Sequence, residues 1–192
     1  TIASERGAIY DRDNRLLAVS VPAASLYIRP RVFEQHMLNT IKASSLDENK
    51  KRVLIQNEKK NFLNQLVSEL GGNLTEYEKL FSSKAPFVWL KRQLPREKAN
   101  SVVALQIPGI GNILETKRYY PYNNAASTII GRVGVDGNGL SGLEKRYEKI
   151  LSKSAQRWNV GRDALGKYIH EASVIEDFDI PRGEALKLSL DA

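Results

Sequence analysis

The chain has 192 residues, of which 42% are hydrophobic and 27% are charged, and this balance is typical of a folded globular protein and excludes intrinsic disorder. It contains no cysteine, which excludes disulfide bonds, thiol catalysis and cysteine-based metal sites. Its longest apolar stretch, Leu16 to Ile28, is interrupted by serines and a proline and is shorter than the roughly 20 residues that cross a bilayer.

The net charge is +7, and the distribution of the basic residues along the chain indicates which kind of partner this charge favours. They occur in short groups such as Lys50-Lys51-Arg52 and Lys145-Arg146, with carboxylates nearby, and no zinc finger or RNP-type strand accompanies them. This pattern favours solvated faces over nucleic-acid binding and leaves attraction to an anionic membrane surface or wall polymer open. His36 and His170 lie far apart in the sequence, so neither a metal nor another cofactor is expected.

The first elements along the chain are predicted to be β-strands. Ala8 to Arg12 and Arg15 to Val21 flank Asp13-Asn14, which suits a type I′ turn because asparagine tolerates the left-handed conformation. Two prolines then bracket a third extended segment, Ser25 to Arg29.

From Val32 the apolar residues recur every three or four positions, which predicts helices. Gly71-Gly72 ends the longest of them. The spacing from Thr75 to Glu78 is that of a capping box and predicts a helix from Glu76 to Phe81. Pro95 is suited to begin another helix that runs to about Leu105.

The period of two returns after Pro108-Gly109, and the rest of the chain is predicted to be mainly extended. A second capping-box spacing, Ser141 to Glu144, predicts the start of a short helix after the loop Asp136–Gly139. The predicted strands are Ile110 to Tyr120, Arg157 to Val160, Lys167 to Val174 and Ala185 to Leu190, and a short helix is predicted over Ala125 to Ile130.

These elements indicate an α+β fold. We expect an elongated β-rich stalk built from both chain ends, residues 1–31 and 108–192, with a small helical α/β head inserted at residues 32–107.

Three stretches carry a family resemblance: "RGAIYDRDNRLLA", "RYYP" and "GLSGLE", in that order. They are similar to the signature motifs of the N-terminal non-catalytic module, the pedestal or dimerisation module, of class B penicillin-binding proteins. "FVWLKRQL", Phe87 to Leu94, resembles the septal, division-associated branch of that family. One departure is Asn14, which stands where the family usually has a glycine.

The resemblance implies a membrane-anchored, penicillin-binding enzyme of bacterial peptidoglycan and cell wall synthesis. A single N-terminal helix would anchor it, residue 1 would lie just outside the membrane on the periplasmic face, and a serine D,D-transpeptidase domain would follow. The implied partners are that C-terminal domain, a SEDS-type glycan polymerase and other divisome or elongasome membrane proteins. A homodimer is a further option, and no nucleic acid is implied.

The chain itself carries no transpeptidase motif. Acyl transfer in that family needs Ser-x-x-Lys, Ser-x-Asn and Lys-Thr/Ser-Gly, and none of the three occurs in the sequence. We therefore expect no catalytic residue here, although a full-length parent would be an enzyme. The alternative function is a stand-alone basic module that binds wall polymer or nucleic acid.

Charge pairing at an interface is the chemistry that remains. By resemblance the three motifs converge where the pedestal meets the catalytic domain, and Arg6 or Arg118 could hold the Glu144 carboxylate. In the alternative, Glu144 caps its own helix and Arg118 is solvated. The remaining candidate positions in the motifs are Gly7, Asp11, Arg12, Tyr120, Pro121, Gly139 and Gly142.

A second candidate surface is formed by Trp89, Lys91 and Arg92, because Trp and Arg dominate binding hot spots. Packing of these side chains within the head is the alternative.

Overall fold

The computed structural model describes residues 5–43, 47–122, 127–152 and 182–190. The fold is α+β, as predicted. In chain order the elements are β1 (Ile9–Tyr10), β2 (Leu16–Ile28), α1 (Pro30–Ala43), α2 (Glu48–Leu70), α3 (Leu74–Phe81), β3 (Val88–Leu94), α4 (Arg96–Ala104), β4 (Ile110–Tyr119), α5 (Ser127–Ile130), α6 (Gly142–Arg146), α7 (Glu148–Leu151) and β5 (Leu186–Lys187).

The chain divides into two compact units. Unit 1 comprises residues 1–22 and 114–192, and unit 2 comprises residues 23–113. Segments 23–31 and 108–113, which we expected to belong to the stalk, belong to unit 2. The reason is that apolar residues of these segments, such as Leu26 and Ile28, are fully buried in the same core as the helices.

Strand β1 holds a central position in the sheet of unit 1. It pairs antiparallel with the first part of β2, where Ile9 lies opposite Ala18, and parallel with β5, where Ile9 lies opposite Leu186. Strands from the two ends of the described chain are therefore neighbours. In unit 2 the second part of β2 pairs antiparallel with β3, and β4 also pairs with β2.

The hairpin between β1 and β2 differs from the predicted type I′ turn. Asn14 has a φ of 62° and its N–H donates to the Asp11 carbonyl at 3.2 Å, while Asp11 and Arg15 pair at the base. A type I turn that is followed by a residue in the left-handed conformation makes a three-residue hairpin loop with a β-bulge. The Asp11 carboxylate selects this loop because its Oδ1 accepts from the N–H groups of Asp13 and Arg15.

Strand β2 runs without interruption through Pro22, so the prediction of two separate strands there is wrong. Its residues up to Ala18 pair with β1 and those from Ala24 pair with β3. Pro22 is exposed and lies between the part of β2 that pairs with β1 and the part that pairs with β3. Because proline has no N–H to donate, this position removes no hydrogen bond from either pairing.

Unit 2 has a continuous apolar core between its helices and one face of its sheet. The predicted helical stripe is confirmed, because Leu63 and Leu66 of α2 are almost fully buried. Gly71 ends α2 as predicted, with a φ of 68°. The core residues include Leu26, Ile28, Phe33, Leu63, Leu66, Tyr77, Phe81 and Val102.

The capping box predicted at Thr75 is wrong. Helix α3 begins at Leu74, and its N-cap is Asn73, whose side chain accepts from the Thr75 N–H at 3.0 Å. Asparagine is a better N-cap than threonine, so the helix starts one residue after it. Helix α4 begins directly after Pro95, close to the predicted start.

Two of the predicted C-terminal strands, Arg157 to Val160 and Lys167 to Val174, lie outside the described residues, as does His170. The prediction over Ala185 to Leu190 corresponds to the shorter strand β5. Within the described ranges, no helix combines the length and apolar character that crossing a membrane requires.

The position of the α3 cap can be tested with two neighbouring exposed residues. Asn73→Ala should lower the free energy of unfolding by about 1 kcal/mol, because it leaves a helix N–H without its acceptor. Thr75→Ala, inside the first turn, should change it by much less. Urea denaturation of the two variants measures the difference, and a larger loss for Thr75→Ala would restore the capping box.

Candidate functional site

Residues of all three motifs meet in unit 1 around one carboxylate. We call this group the Glu144 cluster; it consists of Arg6, Arg118, Glu144 and Glu148. Arg6 lies just before β1, Arg118 near the end of β4, and the two glutamates on α6 and α7. The Glu144 residue is fully buried, and the side chains of Arg6 and Arg118 are only 5% and 4% exposed.

Arg6 holds Glu144 at two places. Its Nε donates to Oε2 of the carboxylate at 2.5 Å and its Nη2 donates to the Glu144 backbone carbonyl at 2.6 Å. Nη2 also lies 2.8 Å from Oε2 of Glu148, and Nη1 donates to the Gly137 carbonyl at 3.2 Å. One guanidinium thus binds the helix that carries Glu144, the next helix and the preceding loop.

Arg118 approaches the other oxygen of the same carboxylate. Its Nε donates to Oε1 of Glu144 at 2.8 Å. Its two terminal nitrogens donate to the backbone carbonyls of Gly7, at 2.8 Å, and Arg6, at 3.2 Å. The Ser20 hydroxyl also accepts from Arg118, so β4 is joined to β2 and to the residues that precede β1.

The alternative, in which Glu144 caps its own helix and Arg118 is solvated, is wrong. Ser141 occupies the N-cap position of α6 but makes no side-chain cap hydrogen bond, and its hydroxyl accepts from the Arg132 N–H instead. Both carboxylate oxygens of Glu144 are bound by arginines. Each guanidinium brings a full positive charge as well as a donor to the carboxylate, whereas a local backbone N–H would bring a donor without a compensating charge.

Burial and charge act in opposite directions on the pKa values of this cluster. Burial lowers the pKa of Arg6, but its hydrogen bonds to Glu148 and Glu144 outweigh burial and leave the pKa raised. Burial dominates for Arg118 and lowers its pKa. The pKa of Glu148 is lowered although burial opposes this, because Arg6 and the Gly139 N–H both donate to its carboxylate.

The chain matches the family model of the penicillin-binding protein dimerisation domain over residues 1–188. It belongs to that family. All four residues of the Glu144 cluster lie within the matched range.

Two curated relatives have the same general description. The chain is 30% identical over 190 residues to the peptidoglycan D,D-transpeptidase FtsI of Escherichia coli K12, covering 99% of this chain and 29% of that protein. It is 29% identical over 177 residues to the FtsI of Buchnera aphidicola, covering 91% of this chain and 28% of that protein. The chain thus spans less than a third of the relatives it matches.

A solved structure has the same fold. It is the complex between penicillin-binding protein PBP2 and MreC from Helicobacter pylori, with a TM-score of 0.60 and 18% sequence identity. The match covers 99% of this chain and 36% of that chain.

Two glycines of the motifs, Gly7 and Gly139, allow backbone segments of unit 1 to pack closely against each other. A Cβ on Gly7 would overlap the carbonyl of Glu184, and one on Gly139 would overlap the carbonyl of Glu144. Gly7 also donates to the Leu151 carbonyl at 2.8 Å. These glycines are therefore needed for close backbone packing, of Gly7 against Glu184 and of Gly139 against Glu144, rather than for a turn. Gly142, with a φ of 59°, begins α6.

The remaining motif residues lie at the edge of the cluster or away from it. Buried Asp11 shapes the hairpin, and Arg12, on the same hairpin, is exposed and donates its backbone N–H to the Leu190 carbonyl. Tyr120 packs on the small core of unit 1, and burial, followed by the Glu144 charge, raises its pKa. Pro121 lies in the turn that follows.

Sequence reasoning missed Glu148 and Ser20. Glu148 follows Glu144 by four residues, a spacing that puts two side chains on one side of a helix and could have indicated the pair. Ser20 had no such signal, because its contact with Arg118 joins residues 98 positions apart.

The second candidate group lies in unit 2 and separates into two parts. The Lys91 ammonium donates to the Leu70 carbonyl at 2.8 Å and so satisfies the C-terminal end of α2. The Arg92 guanidinium lies 4.7 Å from the centre of the Trp89 ring. No group of three or more potential metal ligands is found within the described ranges.

The cluster predicts a large cost for neutralising Glu144. Glu144→Gln should lower the free energy of unfolding by about 3 kcal/mol or more, because an amide N–H₂ would face a guanidinium and one buried cation would lose its anion. Glu184→Gln, the same change at an exposed residue of unit 1, should have little effect. Urea denaturation at neutral pH compares them, and equal stability of both variants would contradict the buried cluster.

Glu148 predicts a specific acid sensitivity. Its pKa lies below the ordinary 4.5, so the unfolded chain binds more protons in this range. Its contribution to stability is therefore present above about pH 4.5 and is lost as the pH falls through the lowered pKa. Glu148→Gln should make the acid-side loss of stability shallower, as measured by denaturation from pH 7 to 3.

Glu69, whose pKa is also lowered, by hydrogen bonds from Lys98 and Ser101, is common to both proteins and cancels in this comparison. Identical pH dependence of the two proteins would show that Arg6 does not bind the Glu148 carboxylate in solution.

Proposed function

We propose that this chain is the non-catalytic pedestal of a peptidoglycan D,D-transpeptidase and that it holds the catalytic domain in position. The observation that carries the proposal is the Glu144 cluster. It joins the residues before β1, strand β4 and helix α6 of unit 1 through the buried Glu144 carboxylate, and Arg6 extends it to Glu148 of α7. A unit whose elements are joined by these buried contacts is suited to support the catalytic domain rigidly.

The chemistry of the cluster also supports a structural role. The positive charges of Arg6 and Arg118 are balanced by the negative charges of Glu144 and Glu148. The two Nε donors of the arginines are both directed at the Glu144 carboxylate. In this proposal the buried ionic network serves to fix one arrangement of unit 1 rather than to add net stability. The absence of all three acyl-transfer motifs from the sequence supports a role without catalysis.

In this proposal the parent protein is anchored in the bacterial cytoplasmic membrane by one N-terminal helix, with the pedestal on the extracytoplasmic side. Its partners are its own transpeptidase domain, a SEDS-type glycan polymerase and other membrane proteins of wall synthesis. The Helicobacter pylori structure supports partner binding, since there a penicillin-binding protein of the same fold is in complex with MreC. Self-association is compatible with the family description.

We further propose that the process is cell division rather than elongation. The support is the resemblance of Phe87 to Leu94 to the septal branch. The stand-alone basic module is the weaker candidate, because the family model accounts for residues 1–188 and the basic residues form no continuous nucleic-acid motif.

The positioning role can be tested in the full-length parent. Glu144→Gln in the parent should leave labelling by a fluorescent penicillin in place, because the acylated serine lies outside this chain, but should abolish complementation of a depletion strain. The isolated chain should take no label. Immunoblots verify equal protein levels, with Glu184→Gln as the control.

Two results would overturn the proposal. A covalent penicillin adduct on the isolated chain would refute the non-catalytic role, and full complementation by the Glu144→Gln parent would refute the positioning role.

A further inference from the structure

Unit 2 carries a row of aromatic rings with an arginine at each end. Arg29 lies 5.4 Å from the centre of the Tyr27 ring, Tyr27 stacks on Phe87 at 4.8 Å, Phe87 meets Trp89 edge-on at 4.7 Å, and Arg92 lies 4.7 Å from Trp89. We call these five residues the arginine–aromatic row.

The row lies on the sheet face that is turned away from the helices. Leu26 and Ile28 are buried in the helical core, so Tyr27 between them points to the opposite face, and it pairs directly with Trp89. Gly111 of β4 makes room for it, because a Cβ there would overlap the Tyr27 ring. The face is partly open to solvent, since Phe87 and Ile113 are each 36% exposed.

A strained bulge positions Arg92. Between Leu26, which pairs with Lys91, and Ala24, which pairs with Leu94, the register of β3 shifts. Gln93 in this bulge has a φ of 53°, an unusual conformation for a residue other than glycine, and donates its N–H to the buried Ser25 hydroxyl at 3.0 Å. Bulges commonly redirect a side chain, and backbone strain is concentrated at functional positions.

The charged side chains on the strand segments of unit 2 are all basic. The strand segments of unit 2, residues 23–28, 88–94 and 110–113, contain no aspartate or glutamate. Stacking on a ring orients a guanidinium, and its planar fork matches a carboxylate. Aromatic residues and arginine are also the side chains that dominate protein interfaces.

We propose that the arginine–aromatic row is a docking surface for an acidic segment of a partner protein, whose apolar side chains cover the rings and whose carboxylates meet Arg29 and Arg92. This proposal rests on the partner-binding role proposed above and names the surface and the chemistry of the partner. A flat sugar platform fits less well, because Phe87 and Trp89 stand edge-to-face, at an interplanar angle of 87°.

Site-specific photocrosslinking in cells that carry the full-length protein tests this surface. The photoreactive residue p-benzoylphenylalanine replaces Phe87, a conservative exchange of one aromatic ring for another. Val53 of α2, which is 57% exposed in the same unit, is the control position. We expect Phe87 to capture a protein segment that carries more Asp and Glu than Lys and Arg, as identified by mass spectrometry.

Charge variants then test the two arginines. Arg92→Gln and Arg29→Gln should each reduce the yield of the Phe87 adduct about tenfold, whereas Arg96→Gln, at an exposed arginine of α4, should not. A variant that keeps the crosslinking pattern of the Val53 position is folded. If Arg92→Gln does not fold, the Arg29→Gln variant alone tests the role of the arginines.

The alternative occupants give different results. Capture at Phe87 of lipid, of glycan, of a second copy of this protein or of a basic segment would overturn the proposal. Capture of protein at Val53 with none at Phe87 would overturn this surface and leave the partner-binding role intact. Capture at neither position would overturn both.

Discussion

The carboxylate of Glu144 is the point on which unit 1 depends. Each of its oxygens accepts from a different arginine, and each arginine continues to backbone carbonyls, Gly7 for Arg118 and Gly137 for Arg6. A buried carboxylate is tolerated only when its charge is compensated and its lone pairs are used. The folded unit therefore keeps Arg6, Arg118 and Glu144 together in one buried, charge-compensated group.

Residues of all three motifs contribute to the same network of contacts. The motif that contains Arg6 also supplies Gly7, which lets the Glu184 carbonyl approach, and Asp11, which shapes the hairpin. The third motif supplies Gly139, whose N–H holds Glu148 beside Arg6. In this member of the penicillin-binding protein dimerisation domain family, the three motifs thus form one network of contacts.

Unit 2 uses a different physical principle. Its core is apolar, and its helices follow from the spacing of leucine and phenylalanine, as Leu63, Leu66 and Phe81 show. The polar and aromatic features lie on the outer sheet face, where Gln93 adopts a strained conformation. One unit therefore places its ionic groups inside, and the other places its arginine–aromatic row at the surface.

The sequence by itself determined the helix stripe of α2, its end at Gly71, the left-handed Asn14, the family motifs and the absence of acyl-transfer motifs, because each depends on residues a few positions apart. It indicated Arg6 and Arg118 as partners of Glu144 but left a local cap open. Only the tertiary structure decided this, since Arg6 and Glu144 lie 138 positions apart. The structure likewise decided the N-cap at Asn73, the hairpin loop and the role of Glu148. In each case several side chains could accept the same hydrogen bond, and their spacing in the sequence does not show which one does.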